Sequence, residues 1–376
     1  MHDKKRRRNI VIAIAAAFVA YCVFAVRPVP TETVLAPRWL ASIEAGAATV
    51  LGEGGGESGA PHPPVPFALG GRHGYVDRDG RFLLNMETEG QVAMSPERWA
   101  QFGAEPGRLE IRGPAGDTVA VVEDPGGYPF FLDGRNFVIG REQSSISEIG
   151  MDGSTAWTFD FPGVVTVADA AAGLLLAGSL DGVATLVDGQ GRQAFSFEPG
   201  GSRFPAILGA AISADGQRIA VLSGVDSQRF IVLERFGAGA CGALDFRVVY
   251  HEFLGEGLRR PARVAFVEGG RYVAFEREGG LGIYSVASRS TRSVRIPGEL
   301  RALDEGGQGM LFAVFARPDG SSPEAKELVG VRVAGRAPRV AMRAPFRSSG
   351  AALGRAGGRI VVGGDRALAA FDLERM

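Results

Sequence analysis

The stretch Leu174 to Pro199, LLLAGSLDGVATLVDGQGRQAFSFEP, decides the fold. It holds three short apolar runs separated by Asp181-Gly182 and Asp188-Gly189-Gln190-Gly191. None of the runs is long enough for a helix. Glycine at these turns supplies the positive φ that tight hairpins between twisted strands demand. With the residues just ahead, the stretch reads as four antiparallel strands at 164–169, 174–178, 183–187 and 193–197.

The same unit returns along the chain. A glycine, often followed by Arg and then by three or four apolar residues, recurs at Gly134, Gly173, Gly216, Gly269, Gly307 and Gly357. The intervals are roughly 40–50 residues, the period of a supersecondary repeat. ILGAAIS, RIAVLSG, RFIVLE and FRVVYHE form the next unit, and ARVAFV, YVAFE, LGIYSV and SVRIP the one after. Four-stranded sheets at this period are blades of a β-propeller, whose circular arrangement leaves only short edges open. Residues 66–376 at roughly 44 per blade predict an all-β, seven-bladed β-propeller of four-stranded antiparallel blades. Eight are expected instead if the first region, with GYVDRDG, RFLLNM, RLEIRG and TVAVVED, holds two. The last unit has three clear strands, AALG, RIVVGG and ALAAFDL, so a strand from the N-terminal side is expected to complete it. Two segments break the repeat. SPERWAQF at 95–102 has a capping Ser, a first-turn Pro and an early Glu, which predict a short helix. RPDGSSPEAKE at 317–327 reads as a polar hairpin tip.

Composition fits a packed globular chain: 376 residues, 45% hydrophobic and 22% charged, with 55 glycines but no Gly-x-y period. The net charge of -1 hides an asymmetry. MHDKKRRR opens the chain with five basic residues and one acidic, and the remainder has 36 basic and 41 acidic. A mildly acidic body argues against a nucleic-acid partner, which needs clustered basic side chains. The basic start precedes IVIAIAAAFVAYCVFAV at 10–26, an uncharged run ended by Arg27, Pro28 and Pro30. With its flanks this run is long enough to span a bilayer core, and the charge bias puts the N-terminus in the cytoplasm. The organisation expected is a cytoplasmic basic tail at 1–8, a transmembrane signal-anchor helix at 9–26, a Gly/Pro-rich linker at 27–65 with a short helix or strand open at Pro37 to Val50, and the propeller at 66–376. Val23-Phe24-Ala25 leaves cleavage as a signal peptide open, and Cys22 leaves lipid attachment open. Each reading places the propeller outside the cytoplasmic membrane, in the periplasm or its equivalent. Cys22 and Cys241 are the only cysteines, so no disulfide can form within the exported part and no cysteine metal site can be built.

SISEIGMDGSTAWTFDF at 145–161, followed by GSLDGVATLVDGQGRQAFSF, resembles the tandem repeats of quinoprotein-like β-propellers, which are close in pattern to WD40 repeats. The shared features are the glycine between third and fourth strands, Trp157 or Phe195 in the fourth, and the Gly-Ser-x-Asp-Gly turn. The likeness runs from about Asp133 onward and is strongest over 145–234. Departures matter too. The Trp-Asp dipeptide is missing, as are the vicinal cysteines of quinone-using dehydrogenases. The resemblance therefore implies the non-catalytic branch, which includes envelope-assembly propellers, with neither quinone nor metal as cofactor.

The residues themselves complete no catalytic constellation. His73 and His251 are too few for a His-based metal site, and His251-Glu252 lacks the second His of a zinc-protease helix. Asp77-Arg78-Asp79-Gly80 lacks the downstream Glu of a calcium loop and reads as a hairpin turn. Gly200-Gly201-Ser202-Arg203 is not followed by Gly-Lys-Ser/Thr and reads as a blade connection. The candidate surface is the face onto which the second-to-third loops and the blade connections open. Its binding candidates are Arg141, Asp181, Arg203, Phe204, Arg229, Glu276, Arg277 and Glu278, since Arg and aromatic residues are favoured at interface centres. The function expected is a non-catalytic, membrane-tethered scaffold that binds other envelope proteins. The alternatives are a quinone-type oxidoreductase, a hydrolase or a small-ligand sensor with its site at the channel mouth.

Overall fold

The structure, a computed structural model, describes residues 14, 15, 18, 21, 33–51, 62–238, 244–255, 257–317, 322–335 and 337–375. It comprises two compact units, residues 1–35 with 373–376 and residues 36–372. In the first, Ile14, Ala15, Phe18 and Tyr21 are helical and exposed. The rest of 9–26, and with it the expected membrane-spanning helix, lies outside the described residues, as do Cys22 and Cys241. No helix among the described residues is long and apolar enough to cross a membrane.

The second unit is built from eight sheets, so the seven-bladed expectation is corrected to eight. The first region holds two blades. Blade 1 has three strands, Val65–Leu69, Arg72–Val76 and Phe82–Glu87. Blade 2 has four, Gln91–Met94, Trp99–Phe102, Arg108–Arg112 and Thr118–Glu123. Blades 3 to 7 are four-stranded and begin at Gly127, Val165, Ile207, Val264 and Glu299. In blade 4 the second to fourth strands are Leu174–Ser179, Ala184–Val187 and Gln193–Phe197, within a residue or two of the sequence reading. Blade 8 begins with Ala352–Ala356, Arg359–Gly364 and Ala367–Arg375.

The helix expected at 95–102 does not form. Ser95 Oγ does accept the Arg98 N–H at 3.1 Å, as a capping serine would. The Ser95 N–H, however, donates to the Arg98 carbonyl at 2.8 Å, which closes a hairpin. Trp99–Phe102 then pairs with Gln91–Met94. Helix caps and turns share this local hydrogen bond, and burial decides between them. Trp99 is buried, gives its indole N–H to the Gly113 carbonyl at 2.9 Å and lies 4.9 Å from the His73 ring.

Ring closure comes from the N-terminal side, as expected, but from inside the stretch read as linker. The strand Thr33–Ser42, from residue 36 onward, adds to blade 8 as its fourth strand, and Ala47–Val50 adds as a fifth. Arg38 bonds Asp372 at 2.7 Å, and the Ile43 N–H donates to the Arg366 carbonyl at 3.0 Å. Trp39 is 2% exposed and donates its indole N–H to the Arg78 carbonyl of blade 1 at 2.8 Å. The extra strand changes the direction in which the chain enters blade 1. Leu69 lies beside Gly350 and Val65 beside Gly354, so the first strands of blades 1 and 8 run antiparallel. In blades 4 and 5 the sequence-aligned contacts Thr166 to Ile207 and Asp169 to Ile212 make the first strands parallel. A five-stranded blade and a three-stranded one together restore the count of two ordinary blades.

The core lies between the blades. Apolar clusters fill the contacts of blades 2 with 3, 3 with 4, 4 with 5, 5 with 6, 6 with 7 and 8 with 1. Phe230 and Phe275 stack at 4.0 Å between blades 5 and 6. Between blades 1 and 2 the filling is more polar: His73 on Trp99, and the Tyr75 hydroxyl on the Ser95 and Arg98 carbonyls. Truncating Trp39 to Ala should lower the unfolding free energy by about 3–5 kcal/mol, the usual cost of deleting a buried aromatic. Urea denaturation followed by far-UV circular dichroism measures it; a change under 1 kcal/mol would mean that the ring is not held shut by this strand.

Candidate functional site

The hairpin turns of this chain consume their own polar side chains. Asp77 Oδ1 accepts the N–H groups of Asp79 and Arg81 at 2.8 and 2.9 Å, and Gly80 takes φ +86°, so Asp77 to Gly80 is a turn. Asp181 accepts the Ser179 hydroxyl in the same way. This local bookkeeping separates the candidate residues into those the fold uses and those it leaves free.

Glu276 belongs to the fold. It is 2% exposed, takes Arg260 at 2.6 Å and accepts the Leu300 N–H at 3.2 Å, which ties blade 6 to blade 7. Arg260 also reaches Glu299 at 3.4 Å, and Arg277 donates to Ser293 Oγ at 2.5 Å. Glu278 is exposed beside them, and a polar cleft of about 660 Å³ opens here, with Arg301 and Arg317 in its wall. Arg141 stands apart, exposed in the second-to-third turn of blade 3.

The remaining candidates converge at blades 4 and 5. Arg203 and Phe204 lie in the connection between them, and Phe204 is 60% exposed. Asp226 holds Arg203 at 3.0 Å; the Ser202 hydroxyl and then the Arg203 guanidinium keep its carboxyl at about 2. Arg229 opens the third strand of blade 5 and donates to the Pro199 and Gly200 carbonyls at 3.1 and 3.3 Å. Its guanidinium lies 4.8 Å from the Phe253 ring, which is itself 60% exposed. Arg203 stands 6.0 Å from Phe204. Leu180 and Val164, also exposed, are joined by a backbone bond and border Asp181. The result is one patch with two exposed phenylalanines, each beside an arginine that a neighbouring loop positions.

Sequence reading missed Phe253 and Val164, and placed Leu180 on this face only as part of the Ser179-Leu180-Asp181 loop. Phe253 carried a signal: an apolar residue closing an outermost strand just before a blade connection. The exposed face of such a strand is normally polar.

The axis is different in character. Val167, Ala210, Val264 and Leu303 from the first strands of blades 4 to 7 line a cavity of about 260 Å³, with Arg263 its charged member. On the same ring of strands, burial pushes the Asp304 carboxyl up to about 6, against the Glu305 N–H at 2.7 Å and nearby Arg355. Burial likewise raises Asp169, which the Ile212 and Ala170 N–H groups partly offset. No cluster of three or more His, Cys, Asp or Glu stands ready for a metal among the described residues.

The fold therefore defines a closed β-propeller. Comparison with known proteins agrees: a family model described as β-propeller protein matches residues 1–376, and the chain belongs to that family. An uncharacterized protein of Treponema pallidum (strain Nichols) is 24% identical over 328 residues, spanning 83% of this chain and 85% of that one. Among solved structures, BamB from Moraxella catarrhalis is similar with a TM-score of 0.52 at 12% identity, covering 82% of this chain and 95% of that one. The computationally designed Ika8 protein reaches 0.57 at 13% identity, covering 91% and 99%. At such identities these likenesses speak for the fold alone.

Two outcomes follow from the site. Glu276→Ala should cost on the order of 2–4 kcal/mol in urea denaturation, because it strands a partly buried guanidinium and an N–H. A raised acid pKa in the fold means that ionised Asp304 opposes folding at neutral pH, and the penalty fades as pH falls from about 6 toward 4. Asp304→Asn should therefore be more stable than the parent by about 1–3 kcal/mol at pH 8 and level with it at pH 4, as read from thermal melts across that range.

Proposed function

We propose that this β-propeller is a non-catalytic binding scaffold, tethered to the cytoplasmic membrane by its N-terminal hydrophobic segment and displayed outside the cytoplasm. The observation that carries the reading is the patch of Phe204 and Phe253, each exposed and each beside an arginine, on the loop face of blades 4 and 5. Large exposed aromatic rings cost solvation in a free monomer. Next to guanidinium groups they are the side chains that dominate binding at protein interfaces. The apolar run at 10–26 behind a basic start supports export, and the acidic body speaks against nucleic acid as the partner. Envelope proteins with an apolar, acidic-rimmed surface are the partners that this chemistry fits.

The test is a membrane-impermeant cross-linker applied to intact cells, with mass spectrometry of the captured chains. The parent should give discrete adducts, and Phe204→Ala/Phe253→Ala should lose most of them while its circular dichroism is unchanged. Adducts that persist in full in the double variant would remove the patch from the reading, and no reaction with the cross-linker would remove the extracytoplasmic placement.

A further inference from the structure

Six interfaces of the ring are sealed by apolar clusters, and the contact of blades 7 and 8 has none among the described residues. A cleft of about 600 Å³ opens there instead. Its walls are Leu328 and Phe346 from blade 7 with Val362, Ala369 and Phe371 from blade 8. The cause is side-chain size. Ala344, Ala367, Ala369 and Gly363 occupy lining positions in this cleft, whereas Leu, Ile and Phe fill the other contacts.

Two arginines and two carboxylates line the cleft, and no ion pair joins them. Arg347 and Arg366 line it, both exposed, and neither has a side-chain hydrogen bond or ion pair among the described residues. Asp365 is already engaged. It accepts the Ser349 N–H and hydroxyl at 2.6 and 2.9 Å and the Gly350 N–H at 3.1 Å. Partial burial raises its carboxyl, and those donors outweigh the burial and hold it at about 2. Glu324 is exposed to solvent on the blade 7 side. Lys326 lies between Glu324 and Leu328 in its strand, directly across from Phe346. It is 3% exposed, and its ammonium finds only the Pro323 carbonyl at 2.8 Å. Two arginines without a carboxylate partner thus line an apolar cleft whose volume is that of a small-molecule site.

We propose that this cleft binds an amphiphilic anion, a molecule with an aliphatic or aromatic body and a carboxylate or phosphate head. The body fills the space left by the alanines, and the head meets Arg347 and Arg366, whose planar guanidiniums suit either oxyanion. The site lies apart from the patch on blades 4 and 5 and does not depend on it.

Isothermal titration calorimetry of the full chain with dodecanoate, dodecyl phosphate, dodecanol and dodecyltrimethylammonium, each below its micellar concentration, tests the proposal. Saturable one-to-one binding of the two anions is expected, at least tenfold tighter than binding of the neutral or cationic chain. Preference between the anions assigns the head group and leaves the proposal standing. Arg347→Ala/Arg366→Ala should weaken anion binding at least tenfold, and Ala369→Phe, which fills the cleft, should abolish it, both with unchanged circular dichroism. Absence of saturable binding, equal affinity for all head groups, or full affinity in the arginine double variant would overturn it. So would a dimer by light scattering that Ala369→Phe dissolves, because a second copy would then be the occupant.

Discussion

A blade of this chain is apolar on both faces, so each sheet must lie between two others and the series must meet its own start. Everything else in the structure depends on that closure. The strand entering at residue 36 supplies it by pairing with the third strand of blade 8 and burying Trp39 against blade 1. Without it, the Ala367–Arg375 strand would present an unpaired edge, and the cluster of Trp39, Ala41, Phe67 and Val361 would face water.

The irregularities of the ring gather around this seam. Blade 8 has five strands and blade 1 has three, and blade 1 runs in the opposite sense from its neighbours. Asn85 of blade 1 gives its amide to the Ile43 carbonyl at 2.8 Å, so the hairpin that supplies the fifth strand also braces the short blade. The two contacts without an apolar cluster among the described residues, blades 1 with 2 and blades 7 with 8, flank the same seam. A regular repeat packs the same way at every interface. Where the repeat is interrupted the packing changes, and there the structure has room.

Polar residues on the loop face divide by what the fold asks of them. Glu276, Asp181 and Asp365 hold turns or neighbouring blades and have little left to offer a partner. Phe204 and Phe253 satisfy no internal requirement of comparable weight; more than half of each side chain is open to water. Turn chemistry thus accounts for much of the polarity on this face, and the aromatic pair is what remains unexplained by folding.

The sequence alone was enough for the all-β class, the blade as the repeating unit, most strand positions from Gly127 onward and the need for a completing strand. Those features are written in turns and alternation that span a few residues, as in Asp181-Gly182 and Asp188 to Gly191. The number of blades was not within its reach, because a three-stranded blade and a strand from residues 36–42 are defined by pairing across the ring. The short segment at 95–102 shows the same limit: its serine bond suits a helix start or a hairpin, and only the burial of Trp99 selects the hairpin. For the candidate site, residue type pointed to Arg203, Phe204 and Arg229. Which acids were already engaged, and that Phe253 stood beside Arg229, depended on neighbours distant in sequence and adjacent only once the sheets had packed.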